Sequence, residues 1–269
     1  MIIDGSQPQV VYDELQRHFH PWDYTDQARN GLLADYAGRI KKVYTATFAS
    51  GEVLGQIKER RASDCLLFTH HPRAQRREGE EPACFSGDDL EYMKERGISH
   101  FSFHIPLDQN GPYSPGVNLA AAVGATPYGG FYEQDGAVMG LLCRSPYRQA
   151  AELLAAVEAA VGHGCKLYRY GGKELADGKL GIMAGGASDA SIYSYLREEG
   201  VSTFLTGVTS PSVDWIEAVH EEARQNGINL LGATHYSSEK FALIAMCRYF
   251  EERGIPAEFL EEAPILEEL

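Results

Sequence analysis

The sequence predicts an α/β protein made of two similar layered halves. Short apolar runs alternate with segments of helical spacing, and the same strand–helix grammar restarts after about residue 125. No tandem repeat of fixed period accompanies this similarity, which argues against a solenoid. We place the halves at residues 1–125 and 126–269.

The first half is read as follows. Val11, Leu15 and Phe19 recur at helical spacing, so residues 11–20 open the fold with a helix. Residues 39–48 read as a strand, followed by a helix over 50–60. Cys65-Leu66-Leu67-Phe68-Thr69 is nearly all apolar, as expected of a strand buried on both faces. Residues 88–96 read as a helix with Gly97 as its stop. From His100 to Leu107, Phe101, Phe103, Ile105 and Leu107 alternate with Ser102, His104 and Pro106, which predicts a two-faced strand.

Residues 124–136, rich in Gly, Pro and Tyr, read as a boundary or crossover. A strand over 136–144 and a helix over 147–161 follow. A strand over 180–184 runs into Gly185-Gly186-Ala187-Ser188-Asp189, expected to open another helix as a tight turn and cap. Residues 203–206 read as a strand, 212–226 as a helix, 229–233 as the last strand and 237–252 as the final helix.

At 269 residues, with 44% hydrophobic and 23% charged, the composition is that of a globular protein with a sizeable core. No apolar run approaches the roughly 20 residues of a membrane helix, and no secretory signal is visible at the start. A cytoplasmic protein is expected. The formal charge of −14 disfavours binding to a phosphate backbone, so no nucleic-acid partner is expected. The acidic segment from Glu258 to Leu269 reads as a solvated end. Cys65, Cys84, Cys143, Cys165 and Cys247 are scattered without a CxxC, which fits reduced thiols rather than a disulfide framework or zinc ribbon.

Three elements carry candidate chemistry. His70 and His71 follow a buried strand, where α/β folds place ligands, and the chain must turn there for both imidazoles to serve one site; Pro72 suits that turn. His104 and Asp108 share strand parity but lie roughly 13 Å apart in a straight strand. Asp108 is therefore favoured as a ligand, with His104 as a nearby acid–base group. His235 and Glu239 lie four apart at a helix start, hence on one face. Imidazole and carboxylate donors without thiolate suit zinc, iron, manganese or cobalt.

The run from Asp64 to Pro72, then His104 and Asp108, then His235-Tyr236-Ser237-Ser238-Glu239 resemble the Nif-three-like family of dinuclear-metal hexameric proteins, often labelled GTP cyclohydrolase I type 2 homologues. The similarity runs from Asn30-Gly31-Leu32 through Leu205-Thr206-Gly207 to the last element. It implies two interlocked α/β halves with the metal site between them, and a toroidal hexamer. It also implies two divalent ions per chain, with His70 and His71 on different ions, Asp108 beside His71, and Glu239 bridging next to His235. The chain departs from the family at Thr47-Phe48-Ala49-Ser50, at the Arg73–Glu81 segment and at Val208-Thr209-Ser210-Pro211.

A pair of ions roughly 3.5–4 Å apart can polarise a substrate oxygen, as in many hydrolases. The leading expectation is therefore a metal-dependent hydrolase of nucleotide-like or other phosphorylated small molecules, with His104 moving a proton. Arg73, Arg76 and Arg77 follow the two histidines; the leading reading is a solvated loop, and the alternative is contact with an anionic substrate. The alternative is a non-catalytic metal-binding regulatory or scaffold protein.

Overall fold

The computed structural model describes residues 2–75, 83–213 and 215–269; Arg76 and Arg77 lie outside them. Eleven strands and nine α-helices are found among the described residues. They form two compact units, discontinuous along the chain. One comprises Met1–Gln109, Asp135–Ala137 and Ala242–Ala263, the other Asn110–Gln134, Val138–Phe241 and Pro264–Leu269.

The first unit holds a five-stranded sheet of β1 (Gly31–Ala34), β2 (Lys42–Phe48), β3 (Cys65–His71), β4 (Ile98–Ser102) and β11 (Ala257–Phe259), in the order β1-β4-β3-β2-β11. All neighbours are parallel except β1 against β4. Local sequence sets the connecting helices. In α2 (Gly51–Glu59), the Ser50 hydroxyl accepts the Val53 N–H. In α3 (Gly87–Arg96), Ser86 and Asp89 form a capping box and Gly97 ends the helix at φ 63°. Val53, Leu54 and Ile57 of α2 and Met93 of α3 bury against Cys65 and Leu67 of the sheet. The opening helix is α1 (Pro8–Phe19), with Val11, Tyr12 and Leu15 buried.

Several expectations are corrected here. β3 runs through His70 and His71, paired as far as Phe48↔His71, so both histidines belong to the strand rather than to a turn after it. The strand expected over 100–107 stops at Ser102. Pro106 has no N–H for a ladder, and the N–H groups of His104 and Ile105 donate to Asn30 and Asp26 instead. The chain bends at His104 (φ −95°, ψ −97°) into the single turn α4 (Ile105–Asp108). Residues 229–233 do not hold the last strand. β11 follows them, and its Glu258 pairs with Lys42 and Arg60, so the acidic end is not merely solvated.

The second unit carries a six-stranded sheet of β5 (Thr126–Gln134), β6 (Ala137–Arg144), β7 (Lys166–Tyr168), β8 (Lys179–Ile182), β9 (Thr203–Thr206) and β10 (Asn229–Gly232), in the order β5-β6-β8-β9-β10-β7. Its core is parallel, β8 to β9 to β10, with antiparallel β6 and β7 beside it. The stretch expected as a boundary or crossover holds the edge strand β5, where Pro127 and two glycines are tolerated because one side needs no ladder. Phe131 lies over Gly140, whose added Cβ would come within 2.7 Å of that ring. The helices are α5 (Pro115–Ala122), α6 (Ala150–Val161), α7 (Ile192–Glu198) and α8 (Ile216–Gln225). Residues 183–189 stay irregular, so the helix expected from Gly185 begins instead at Ile192. The long α9 (His235–Glu251) starts in this unit.

Candidate metal centre

In the first unit, the carboxyl end of β3 and the α4 turn bring four candidate side chains together. His70 is fully buried. Its Nδ1 lies 2.9 Å from the Phe103 carbonyl oxygen, a pure acceptor, so Nδ1 carries a proton and, in the neutral ring, Nε2 presents a lone pair. That Nε2 is 3.4 Å from Asp108 Oδ1. A lone pair facing a carboxylate oxygen needs a cation between them, a proton or a metal ion.

His71 stacks flat on Phe48, ring centroids 4.4 Å apart at 8°. The rings of His70 and His71 are 4.4 Å apart, and His104 lies 5.2 and 5.0 Å from them. Each of the three offers a ring nitrogen within 4.8 Å of the other two. The resemblance pairs Asp108 with His71; Asp108 also lies 3.4 Å from His70 Nε2 and 3.9 Å from His104 Nε2.

His104 is held from the chain's N-terminal segment. Asn30 Oδ1 accepts its backbone N–H at 2.8 Å, and Asp26 Oδ1 lies 3.2 Å from its Nδ1. Burial would raise the Asp26 carboxyl, but hydrogen bonds from His104, from Asn30 and from the Ile105 N–H outweigh it and hold Asp26 well below the usual range. Neither Asp26 nor Asn30 stood out as a functional residue in the sequence. Asp26 lies 78 positions from His104, and no local spacing announces such a contact.

In the second unit, the start of α9 presents His235 and Glu239 on one face, Nε2 to Oε1 3.1 Å. Thr234 adopts a left-handed φ of 64° ahead of the helix, and its hydroxyl accepts the Ser237 N–H. The His235 N–H donates to Glu268, another contact of the acidic end. Glu239 is only 4% exposed. The Gly185 loop leaves it room: at φ 75°, an added Cβ there would sit 2.3 Å from Glu239 Oε1 and 3.4 Å from His235 Nε2. The loop is pinned by the Gly185 N–H to the Ser238 hydroxyl and by the Gly207 N–H to the Gly185 carbonyl. The sequence marked Gly185 as a turn; its work is to cradle the carboxylate.

These donors fit divalent ions. One buried imidazole, three partly exposed ones and two carboxylates offer nitrogen and oxygen donors without thiolate, and a bare glycine leaves space at the most enclosed carboxylate. Arg73 is exposed. All five cysteines are free. No described helix is long and apolar enough to cross a membrane.

Known proteins agree with this architecture. A sequence profile of Duf34/NIF3 (NGG1p interacting factor 3) matches residues 8–263, and the chain belongs to that family. A relative from Borreliella burgdorferi, named GTP cyclohydrolase 1 type 2 homolog, is 26% identical over 234 residues, 86% of either chain. A relative of the same name from Archaeoglobus fulgidus is 26% identical, covering 88% of this chain and 91% of its own. Among solved structures, protein ybgI superposes with a TM-score of 0.79 at 20% identity, covering 98% of this chain and 100% of its own. TTHA1606 from Thermus thermophilus gives 0.75 at 21%, covering 96% and 99%. At these identities the likeness establishes the fold.

Proposed function

We propose that His70, His71, Asp108, His235 and Glu239 bind a pair of divalent ions (zinc, iron or manganese) in one dinuclear centre of a metal-dependent hydrolase. The substrate class is a nucleotide or other phosphorylated small molecule, in line with the relatives' name. The observation that carries the reading is the fixed tautomer of His70. Phe103 commits Nδ1, and the remaining lone pair faces a carboxylate across 3.4 Å in a fully buried site. Ions bound there would supply Lewis acidity toward a substrate oxygen.

The other groups have distinct tasks. Phe48 keeps the His71 ring in plane by stacking. Gly185 keeps Glu239 clear of a side chain. His104, the proposed catalytic residue, is 29% exposed and takes a proton from the attacking water or hydroxyl at Nε2. By resemblance we further propose a cytoplasmic homohexamer.

Metal content tests the centre. Protein purified without chelator is expected to carry about two ions per chain, lost in a His70→Ala/Glu239→Ala double variant. Wild-type protein that neither holds metal nor takes up added zinc, manganese or iron would sink the reading. His104→Ala is expected to keep the metal and lose about 10²–10⁴-fold in metal-dependent turnover of phosphoesters or nucleotides. The alternative, a non-catalytic metal-binding regulatory or scaffold protein, predicts indifference to His104.

A further inference from the structure

We infer that Asp26 is the positioning carboxylate of His104, fixing the proton of the neutral ring on Nδ1 so that Nε2 faces the site as the acceptor. The inference rests on the proposed proton-accepting role of His104 and deepens it, because it says which half of an acid–base cycle the resting site is set for.

The geometry around Asp26 is fully committed. Oδ1 accepts the Ala28 N–H at 2.8 Å and faces His104 Nδ1 at 3.2 Å. Oδ2 accepts Asn30 Nδ2 at 2.7 Å and the Ile105 N–H at 2.9 Å. The side chain is only 6% exposed. A carboxylate with four such neighbours has no freedom to rotate, and an ionised one can only accept. The proton between Asp26 and His104 therefore sits on Nδ1, and in the neutral ring the other nitrogen is left bare.

Backbone and ring of His104 are gripped from one segment, because Asn30 takes its N–H while Asp26 takes its ring proton. This grip also accounts for the sharp bend at His104, where β4 gives way to α4. On the other side, His104 Nε2 is 3.9 Å from Asp108 Oδ2, beyond hydrogen-bond reach, so Asp108 does not claim it. His70 is set by the same device, its Nδ1–H given to the Phe103 carbonyl. Two imidazoles thus present lone pairs from one unit, each with its opposite nitrogen held. Orienting a ring through its far nitrogen is a general means of fixing tautomer and direction.

Ring-nitrogen NMR of the full-length protein, labelled with ¹⁵N-histidine and incubated with zinc, tests this directly. Wild-type His104 is expected as the Nδ1–H tautomer with an unprotonated Nε2. Asp26→Asn, which can offer an amide N–H to Nδ1, is expected to shift the population toward Nε2–H, and Asp26→Glu to restore the original form at least in part. Zinc content should be the same in all three, since Asp26 is not proposed as a ligand. A wild-type His104 protonated on Nε2 overturns the inference without need of any variant. So does a tautomer indifferent to Asp26→Asn in protein of native circular dichroism, or zinc lost in step with Asp26. The tautomer is read whether or not zinc is taken up, so failure of the dinuclear centre and failure of this inference are separate outcomes.

Discussion

At the residue scale, two groups outside the proposed ligand set govern how it is held. Gly185 is one. An alanine there would have to adopt φ 75° and place its Cβ 2.3 Å from Glu239 Oε1. Gly185→Ala is expected to cut metal uptake at least tenfold and to lower stability by about 1–3 kcal/mol, read from metal content and the urea midpoint. Full metal content with an unchanged midpoint would mean the cradle is dispensable. Glu262 is the other: it accepts the Phe48 N–H at 3.0 Å and the Ser50 hydroxyl at 3.1 Å, behind the ring that stacks on His71. Burial pushes its carboxyl up to about 7 from an ordinary 4.5, against hydrogen bonds that lower it. The folded state then holds a proton that the unfolded state has released. This contribution is whole below pH 4.5 and is lost as pH rises to about 7. His100, buried against the Thr69 hydroxyl and pushed down to about 3, works in the opposite sense: its contribution is whole above pH 6.5 and lost as pH falls toward 3. Glu262→Gln, neutral at every pH, should remove the loss this carboxyl causes between pH 4.5 and 7, a gain over wild type on the order of 2 kcal/mol at the upper end. Denaturant melts across that range check it, and a decline that persists in the variant would remove Glu262 as its source.

At the element scale, legibility followed how local the cause was. α2 and α3 were readable because their caps are written beside them: Ser50 for one, and Ser86, Asp89 and Gly97 for the other. Gly97→Ala makes this quantitative. The added Cβ would meet Asp64 Oδ1 at an ordinary 3.5 Å, so the cost is that of the left-handed φ alone, about 1 kcal/mol in a urea titration. The strand expected over 100–107 failed for a non-local reason. Its alternation of apolar residues is real, since Phe101, Phe103, Ile105 and Leu107 are all buried. A single turn can bury Ile105 and Leu107 as well as a strand can, and Asp26 and Asn30 decided between the two by taking the backbone donors. Short edge elements such as β7 and β11 had too few residues to show a period.

At the scale of the whole molecule, the prediction concerns what bound metal does to stability. Ligands that bind the native state and not the unfolded one stabilise it in proportion to their saturation, about 2.7 kcal/mol at a hundredfold excess over Kd. Chelation is expected to lower the thermal midpoint of the wild-type protein and to leave a His70→Ala/Glu239→Ala variant unchanged. Equal midpoints for wild-type protein with and without chelator would detach the five residues from any bound ion. The whole-molecule view also changes the meaning of the acidic end. Glu258, Glu262 and Glu268 each accept from groups within their own units: Lys42 and Arg60, Phe48 and Ser50, and the His235 N–H. The segment that composition describes as solvent-facing charge is built into both units.

By itself the sequence determined the α/β alternation, the family, and the residue types of the candidate site, because hydrophobic period, cap chemistry and short motifs are local properties of the chain. It placed His235 and Glu239 on one face correctly, since four residues of helix bring them there whatever surrounds them. Tertiary structure alone decided that His70 and His71 stay in a strand, that Asp26 holds His104, and that Gly185 makes room for Glu239. It also returned residues 257–259 to the first sheet as β11. Each of these joins parts distant in sequence, and pairings at such separations are fixed by the geometry of the folded chain rather than by any pattern along it.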